Sequence, residues 1–152
     1  SYADQVNFYT KGADKSFNVY KLFKKTDKRR KVSFATLYRS PRNGNTFAVP
    51  INNPNFANDS TPFFNKTFDP AAFAAVPAEA ATNVTLLRYA EVLLIHAEAE
   101  NEVNGPTAKA YKSINRIRTR AGLPDLTAGL SKDQFRDSVY LDRQLELVYE
   151  YQ

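Results

Sequence analysis

Apolar residues recur at helical spacing only in the later part of the chain. Leu86, Ala90, Leu93, Leu94 and Ala97 follow a three-four rhythm, which predicts one apolar stripe on a helix that begins near residue 86. Alanines 90, 97 and 99 permit close approach of a neighbouring helix. Asn104-Gly105 can take left-handed dihedrals and so predicts the C-terminus. Pro106 suits the first turn of a second helix, where its missing N–H costs nothing. Ala110, Ile114, Ile117 and Ala121 share a face of that second helix, and Gly122 with Pro124 stops it. So short a connection predicts antiparallel neighbours. A third helix opens with a capping-box pattern, Ser131 and Gln134, flanked by Leu130 and Phe135 at staple positions. Phe135, Val139, Leu145 and Tyr149 form its predicted stripe, and the pattern still reads as helix through Glu150. Three helices in hairpin order make the elementary unit of an α-solenoid.

The earlier part reads differently. Residues 14–25 predict a short helix, with Phe17, Tyr20 and Phe23 spaced three apart and Asp14 as its cap. Residues 31–38 predict a strand, with Val32 and Phe34 alternating against Ser33. Pro41, Asn43-Gly44-Asn45, Pro50, Pro54, Pro62, Pro70 and Pro77 then leave no room for long regular elements. Residues 39–81 are expected to form a long structured loop pinned by its aromatics. The predicted fold class is mainly α: a tetratricopeptide-like helix hairpin plus a further helix, preceded by an irregular segment with a short helix and strand. The irregular part is expected over residues 1–85 and the helical part over 86–152, in one continuous domain.

Composition limits the function classes. The chain has 152 residues, 43% hydrophobic and 24% charged, which suits a folded chain with a core. No apolar run approaches the roughly 18 residues of a membrane span. Cysteine is absent, which excludes disulfides, thiolate nucleophiles and cysteine metal sites. Methionine is absent, the chain begins at Ser1, and the last pattern runs to the end, so the sequence reads as a fragment cut at both ends. Residues 1–85 carry 12 Lys and Arg against 6 Asp and Glu, whereas residues 86–152 carry 9 against 10. The excess sits at Lys24, Lys25, Lys28, Arg29, Arg30 and Lys31. Such a cluster suits a polyanion site, or a solvated helix end that opposes the helix dipole. The lack of interleaved aromatics favours the second reading, with no nucleic-acid partner.

The residues able to do chemistry read more simply as structure. His96 is the sole histidine, and without cysteines it has no companion for a metal site, so it is expected to pack, half-buried, in the first helix. Glu91, Glu98, Glu100 and Glu102 offer a paired-carboxylate arrangement on one helix. Arg88 lies three residues from Glu91, and Arg118 and Arg120 lie on the partner helix. Ion pairs among these would set helix register. Asn115, in mid-helix, is expected to hydrogen-bond between helices. No glycine-rich phosphate loop or Gly-x-Ser-x-Gly elbow occurs. No cofactor, metal or catalytic residue is expected, and the protein is not expected to be an enzyme.

Three motifs in order carry a family resemblance. Leu87-Arg88-Tyr89-Ala90-Glu91-Val92-Leu93-Leu94-Ile95-His96-Ala97-Glu98-Ala99 resembles the LRYAEVLLxxAEA signature of the SusD/RagB family. Asn115-Arg116-Ile117-Arg118-Thr119-Arg120-Ala121-Gly122-Leu123-Pro124 is similar to its N-x-x-R-x-R-A-G-L-P. Asp142-Arg143-Gln144-Leu145-Glu146-Leu147-Val148-Tyr149-Glu150 resembles its E-R-x-x-E-L-x-x-E, and Asp27-Lys28-Arg29 its D-x-R, which opens the preceding strand. His96 stands where an aromatic is common, Asp142 where Glu is, and Tyr151 where Gly is.

The resemblance implies an outer-membrane, cell-surface lipoprotein of a Gram-negative bacterium, held by a lipidated cysteine outside these residues. It implies capture of glycans or oligosaccharides (peptides in some relatives), handed to a SusC-like TonB-dependent transporter without chemistry. The motif residues Arg88, Glu91, Glu98, Asn115, Arg118, Arg120, Arg143 and Glu146 are expected to shape the fold. Tyr38, Asn43, Asn45 and Phe47, on the turn-rich segment at the end of the predicted strand, are the candidate ligand contacts. The alternative is a helical-repeat scaffold that binds only protein partners.

Overall fold

The apolar stripes of the later residues close on one another. The computed structural model describes residues 19–35, 37–39, 46–48, 63–66 and 86–150. It is mainly α. Three long helices follow one another: α2 (Tyr89–Asn104), α3 (Ala108–Arg120) and α4 (Lys132–Glu146). Before them, among the described residues, come a 3-10 turn (Val19–Leu22), a short helix α1 (Lys28–Ser33), and four short strands: β1 (Phe34–Ala35), β2 (Leu37–Arg39), β3 (Thr46–Ala48) and β4 (Phe63–Phe64). The chain divides into two compact units, one of Ser1–Phe23 and Arg30–Val84, the other of Lys24–Arg29 and Thr85–Gln152.

In the helical unit Leu94 and Ala97 of α2, Ala110, Ile114 and Ile117 of α3, and Phe135 and Val139 of α4 are buried in one core, with Leu147 closing it. Burying side chains of this size contributes roughly 1.5–3 kcal/mol for each large one. The α2–α3 connection is set by three adjacent residues. Gly105 takes φ 79° and its N–H donates to the Asn101 carbonyl, ending α2. Thr107 is the N-cap of α3 and its hydroxyl accepts from the Ala110 N–H. Pro106 therefore lies before the cap and not inside the first turn. Leu86, placed on the predicted stripe, is 79% exposed and outside the helix.

Contacts between helices fix their directions. His96 meets Ser113 and Tyr89 meets Arg116, so α2 and α3 are antiparallel. Glu102 meets Arg136 and Glu98 meets Arg143, so α2 and α4 are antiparallel as well. The third helix consequently runs parallel to the second, and the hairpin alternation expected from sequence does not continue. The chain accomplishes this by returning along the length of α3 before α4 begins.

That return segment is held by side chains of α3. The end of α3 is a Schellman turn, in which Leu123 N–H donates to the Arg118 carbonyl and Gly122 N–H to that of Thr119. Gly122 has φ 73°, and a Cβ there would lie 3.0 Å from the Lys28 side chain. Arg118 Nε then donates to the Pro124 carbonyl, Asn115 Oδ1 accepts the Leu126 N–H at 3.0 Å, and Tyr111 OH donates to the Thr127 carbonyl and accepts from the Leu130 N–H. Asn115 thus satisfies the backbone of the connection, where an inter-helix bond was expected. Ser131 and Gln134 form the capping box that opens α4. The helix stops at Glu146. Tyr149, expected on its stripe, takes φ 62° in the turn that follows.

The first unit is described only in part. Val19, Phe23 and Phe34 are buried, and the Phe34 ring meets those of Tyr20 and Phe23 edge-on at 5.2 and 5.4 Å. The helix expected over residues 14–25 is a single 3-10 turn within the described residues, and Asp14 lies outside them. The strand expected from residue 31 begins at Phe34, because α1 continues through Ser33. β1 pairs antiparallel with β4 and β2 with β3, so the segment read as loop after residue 39 contributes two short strands.

Asn115→Ala should lower stability by about 1–3 kcal/mol, since it leaves the Leu126 N–H without its acceptor. Asn115→Asp, which retains that acceptor, should lose less. Chemical denaturation of the two variants checks the order.

Candidate functional site

Four arginines meet four carboxylates at one end of the helical unit. The arrangement begins with local backbone chemistry. Asp27 precedes α1 and its Oδ1 accepts the Arg29 N–H at 2.9 Å, as an N-cap does. The same carboxylate holds the Arg29 side chain, taking Nε at 3.0 and 3.1 Å and the terminal nitrogen at 2.7 Å. The D-x-R triplet therefore opens a helix, not a strand, and pre-orients a guanidinium. The Lys28 N–H donates to the Ala121 carbonyl at 2.8 Å, which docks this segment on the end of α3.

From there Arg29 reaches α4. It donates to Asp142 Oδ1 at 2.9 Å and to Glu146 Oε2 at 3.5 Å. Asp142 Oδ2 accepts from Arg118 of α3 at 2.8 Å. Glu146 Oε1 accepts from Arg88 at 2.5 Å and also from Arg120. Arg88 further donates to the Glu146 carbonyl at 2.6 Å and to Glu150 Oε2 at 2.7 Å. Asp27, Asp142 and Glu146 are at most 4% exposed, and Arg29 is 8% exposed. Arg118 and Arg120 sit in the last turn of α3, where the helix dipole also favours cations.

Burial by itself would raise the Glu146 carboxyl. Hydrogen bonds from Arg120 and Arg88, with their charges, outweigh it and hold the group below the usual carboxylate range. Burial likewise opposes the charge on Arg29, and the hydrogen bond and charge of Asp27, with Asp142, more than restore it. Every carboxylate of the cluster has at least one arginine partner.

A second clamp joins the other ends of α2 and α4. Glu102 takes two bonds from Arg136 at 2.6 and 2.7 Å, and Lys132 donates to the Glu102 carbonyl at 2.6 Å. The Arg136 hydrogen bond, against a smaller opposing effect of desolvation, pulls the exposed Glu102 carboxyl down to about 2. Between the clamps Arg143 pairs with Glu98 at 2.7 Å.

The motif residues fall into place around these contacts, with some changes of partner. Arg88, Arg118, Arg120 and Glu146 belong to the first clamp, and Arg143 and Glu98 pair between the helices. Arg88, expected beside Glu91, instead bridges to Glu146 and Glu150; no ion pair of Glu91 occurs among the described residues. Glu100 is bonded by Thr107 and Asn104. His96 is exposed, not half-buried, with Nδ1 2.9 Å from Ser113 Oγ. Sequence reasoning missed Asp27, Arg29 and Asp142 as buried groups, having read Arg29 as part of a solvated cluster. A signal was present: Asp142 and Glu146 continue the three-four spacing of Phe135 and Val139, so two carboxylates occupy positions of the apolar stripe.

Of the candidate ligand contacts, Tyr38 and Phe47 are backbone register partners across β2 and β3. Asn43 and Asn45 lie outside the described residues. Among the described residues no group of three or more His, Asp or Glu is placed to hold a metal, and no helix is long and apolar enough to cross a membrane.

A family model for the SusD family matches residues 1–152. The chain is 39% identical over 80 residues to SusD-like protein P2 of Formosa agariphila, which is 48% of this chain and 16% of that protein. Its structure is similar to that of a SusD superfamily protein from Parabacteroides distasonis ATCC 8503, at 27% identity and TM-score 0.65, over 87% of this chain and 28% of that one. It is also similar to surface glycan-binding protein A from Bacteroides uniformis, at 28% identity and TM-score 0.59, over 86% of this chain and 25% of that one. The chain thus spans only about a quarter of the length of these solved relatives.

Glu146→Gln should cost about 3 kcal/mol, because it takes the charge of a buried carboxylate away from the buried Arg29 and the half-buried Arg88. The folded-state pKa of Glu146 lies below its unfolded value. Its contribution is therefore complete above about pH 4.5, the ordinary value, and fades as pH falls further toward the depressed folded value. Unfolding followed from about pH 7 down to about pH 3 should show a steeper loss for the native protein than for Glu146→Gln.

Proposed function

This chain belongs to the SusD family, and from that premise we propose that the whole protein captures glycans or oligosaccharides at the cell surface and performs no reaction on them. The observation that carries the reading is the family match along all 152 residues. The likeness to a solved surface glycan-binding protein supports it further. The helical unit acts as a rigid frame. Its carboxylates at Glu98, Glu102, Asp142 and Glu146 are committed to arginines, which suits a scaffold better than acid–base chemistry, where a carboxyl must be free to exchange a proton.

The ligand is held by the loop-rich part. Sugar rings stack on aromatic faces while planar polar groups fix their hydroxyls. Tyr38 and Phe47 supply two aromatic positions in register, and Asn43 and Asn45 lie between them in sequence. The captured glycan passes to a SusC-like TonB-dependent transporter in the outer membrane, where a lipid anchor outside these residues holds the protein.

Calorimetric titration of the full-length protein against a panel of oligosaccharides should give saturable binding to at least one of them, with no new reducing ends on prolonged incubation. Tyr38→Ala and Phe47→Ala should each weaken that binding by about tenfold, equivalent to about 1.4 kcal/mol. A TonB-dependent transporter should co-purify from detergent-solubilised outer membranes. Failure to bind any saccharide, or release of reducing ends, contradicts the reading.

A further inference from the structure

Helix α3 holds five cations and no acidic residue: Lys109, Lys112, Arg116, Arg118 and Arg120. Arg118 is consumed by Asp142 and Arg120 reaches Glu146. Lys112, Arg116 and Arg120 recur one turn apart and share a face. With Asn115, Thr119 and Asp125 they line an open depression of about 530 Å³, within the range of roughly 300–1,000 Å³ that small-ligand sites occupy.

The lining is rich in donors and poor in acceptors. Asn115 Oδ1 is occupied by the Leu126 N–H, so the amide is oriented and its two N–H donors are the end left over. Arg116 is steadied by Tyr89: one terminal nitrogen donates to the Tyr89 hydroxyl at 2.8 Å, and the guanidinium lies 5.2 Å from the ring centroid. Its remaining N–H groups form a planar fork of the kind that matches a carboxylate. Lys112 adds an ammonium group. The one acid, Asp125, faces the Thr119 hydroxyl at 3.5 Å. An arrangement of fixed donors with surplus positive charge is complementary to an anion.

We infer that this depression on α3 binds the carboxylate of an acidic saccharide, a uronate unit, through side chains other than those proposed above for the glycan. The inference rests on the glycan-binding reading above, because that reading supplies a saccharide as the bearer of the charge. Arg116 and Lys112 engage the carboxylate, and the Asn115 amide donates to a neighbouring hydroxyl.

The test uses the full-length protein and calorimetry with trigalacturonate, with its methyl ester, and with a neutral oligosaccharide that the protein binds. The native protein should bind trigalacturonate at least about tenfold more tightly than the ester, and added salt should weaken only the acidic ligand. The double variant Lys112→Gln/Arg116→Gln should lose about tenfold or more for trigalacturonate, while keeping its melting temperature and its affinity for the neutral ligand. Equal binding of acid and ester, or an unchanged affinity in the double variant, overturns the inference alone. Tighter binding of polyglutamate than of trigalacturonate, lost in the same variant, also overturns it, by assigning the depression to an acidic peptide. If no saccharide binds, neutral or acidic, the glycan reading falls and takes this inference with it.

Discussion

Two carboxylates, Asp142 and Glu146, are buried one turn apart on α4. Alone, each would face a desolvation cost of several kcal/mol and the repulsion of the other. Cations from elsewhere in the chain offset that cost. They arrive from three places: Arg29 from the first turn of α1, Arg88 from the entry to α2, and Arg118 and Arg120 from the end of α3. The helical unit therefore assembles around a requirement of charge as well as around an apolar core. A greasy stripe alone tolerates sliding, whereas a forked guanidinium on a buried carboxylate accepts one geometry.

This constraint accounts for features that are otherwise separate. Arg88 stands at the N-cap of α2 although a guanidinium has no acceptor for the free N–H groups there; from that position it reaches Glu146 of α4. Gly122 combines a positive φ with close approach of Lys28, so the turn that ends α3 also admits the segment carrying Arg29. The return of the chain along α3 brings α4 parallel to it, and that direction places Arg118 and Arg120 beside Asp142 and Glu146. At the opposite end of α2 and α4, Glu102 and Arg136 make a corresponding but exposed contact, which salt and solvent weaken. The buried clamp is the one that specifies the arrangement.

The helices were legible because period 3.6 and cap chemistry are local. Ala110, Ile114 and Ile117, the Ser131–Gln134 box and the Gly105 and Gly122 stops all follow from neighbours in sequence. The antiparallel α2–α3 pair was legible in its short connection, but the direction of α4 was not. The run from Ala121 to Leu130 reads as an ordinary connection until Tyr111, Asn115 and Arg118 are seen to bind its backbone. Ion-pair partners failed for the same reason: Arg88 lies three residues from Glu91, but the stronger demand comes from a carboxylate buried 58 positions away. Arg29 was hidden by the lysines around it, which are solvated. The family motifs nevertheless named most of the cluster, since the charged residues they contain are those the clamp requires.

That the helical unit is a frame set by arginines on buried carboxylates is the structural account of this chain. Its central physical claim is that Arg29 and Asp142 act as a coupled pair across 113 positions of sequence. A double-mutant cycle on unfolding stability, with Arg29→Met, Asp142→Leu and the combination, measures that coupling directly. The account predicts a coupling above about 1.5 kcal/mol, with the double variant more stable than the sum of the singles implies. Effects that add to within about 0.5 kcal/mol contradict it.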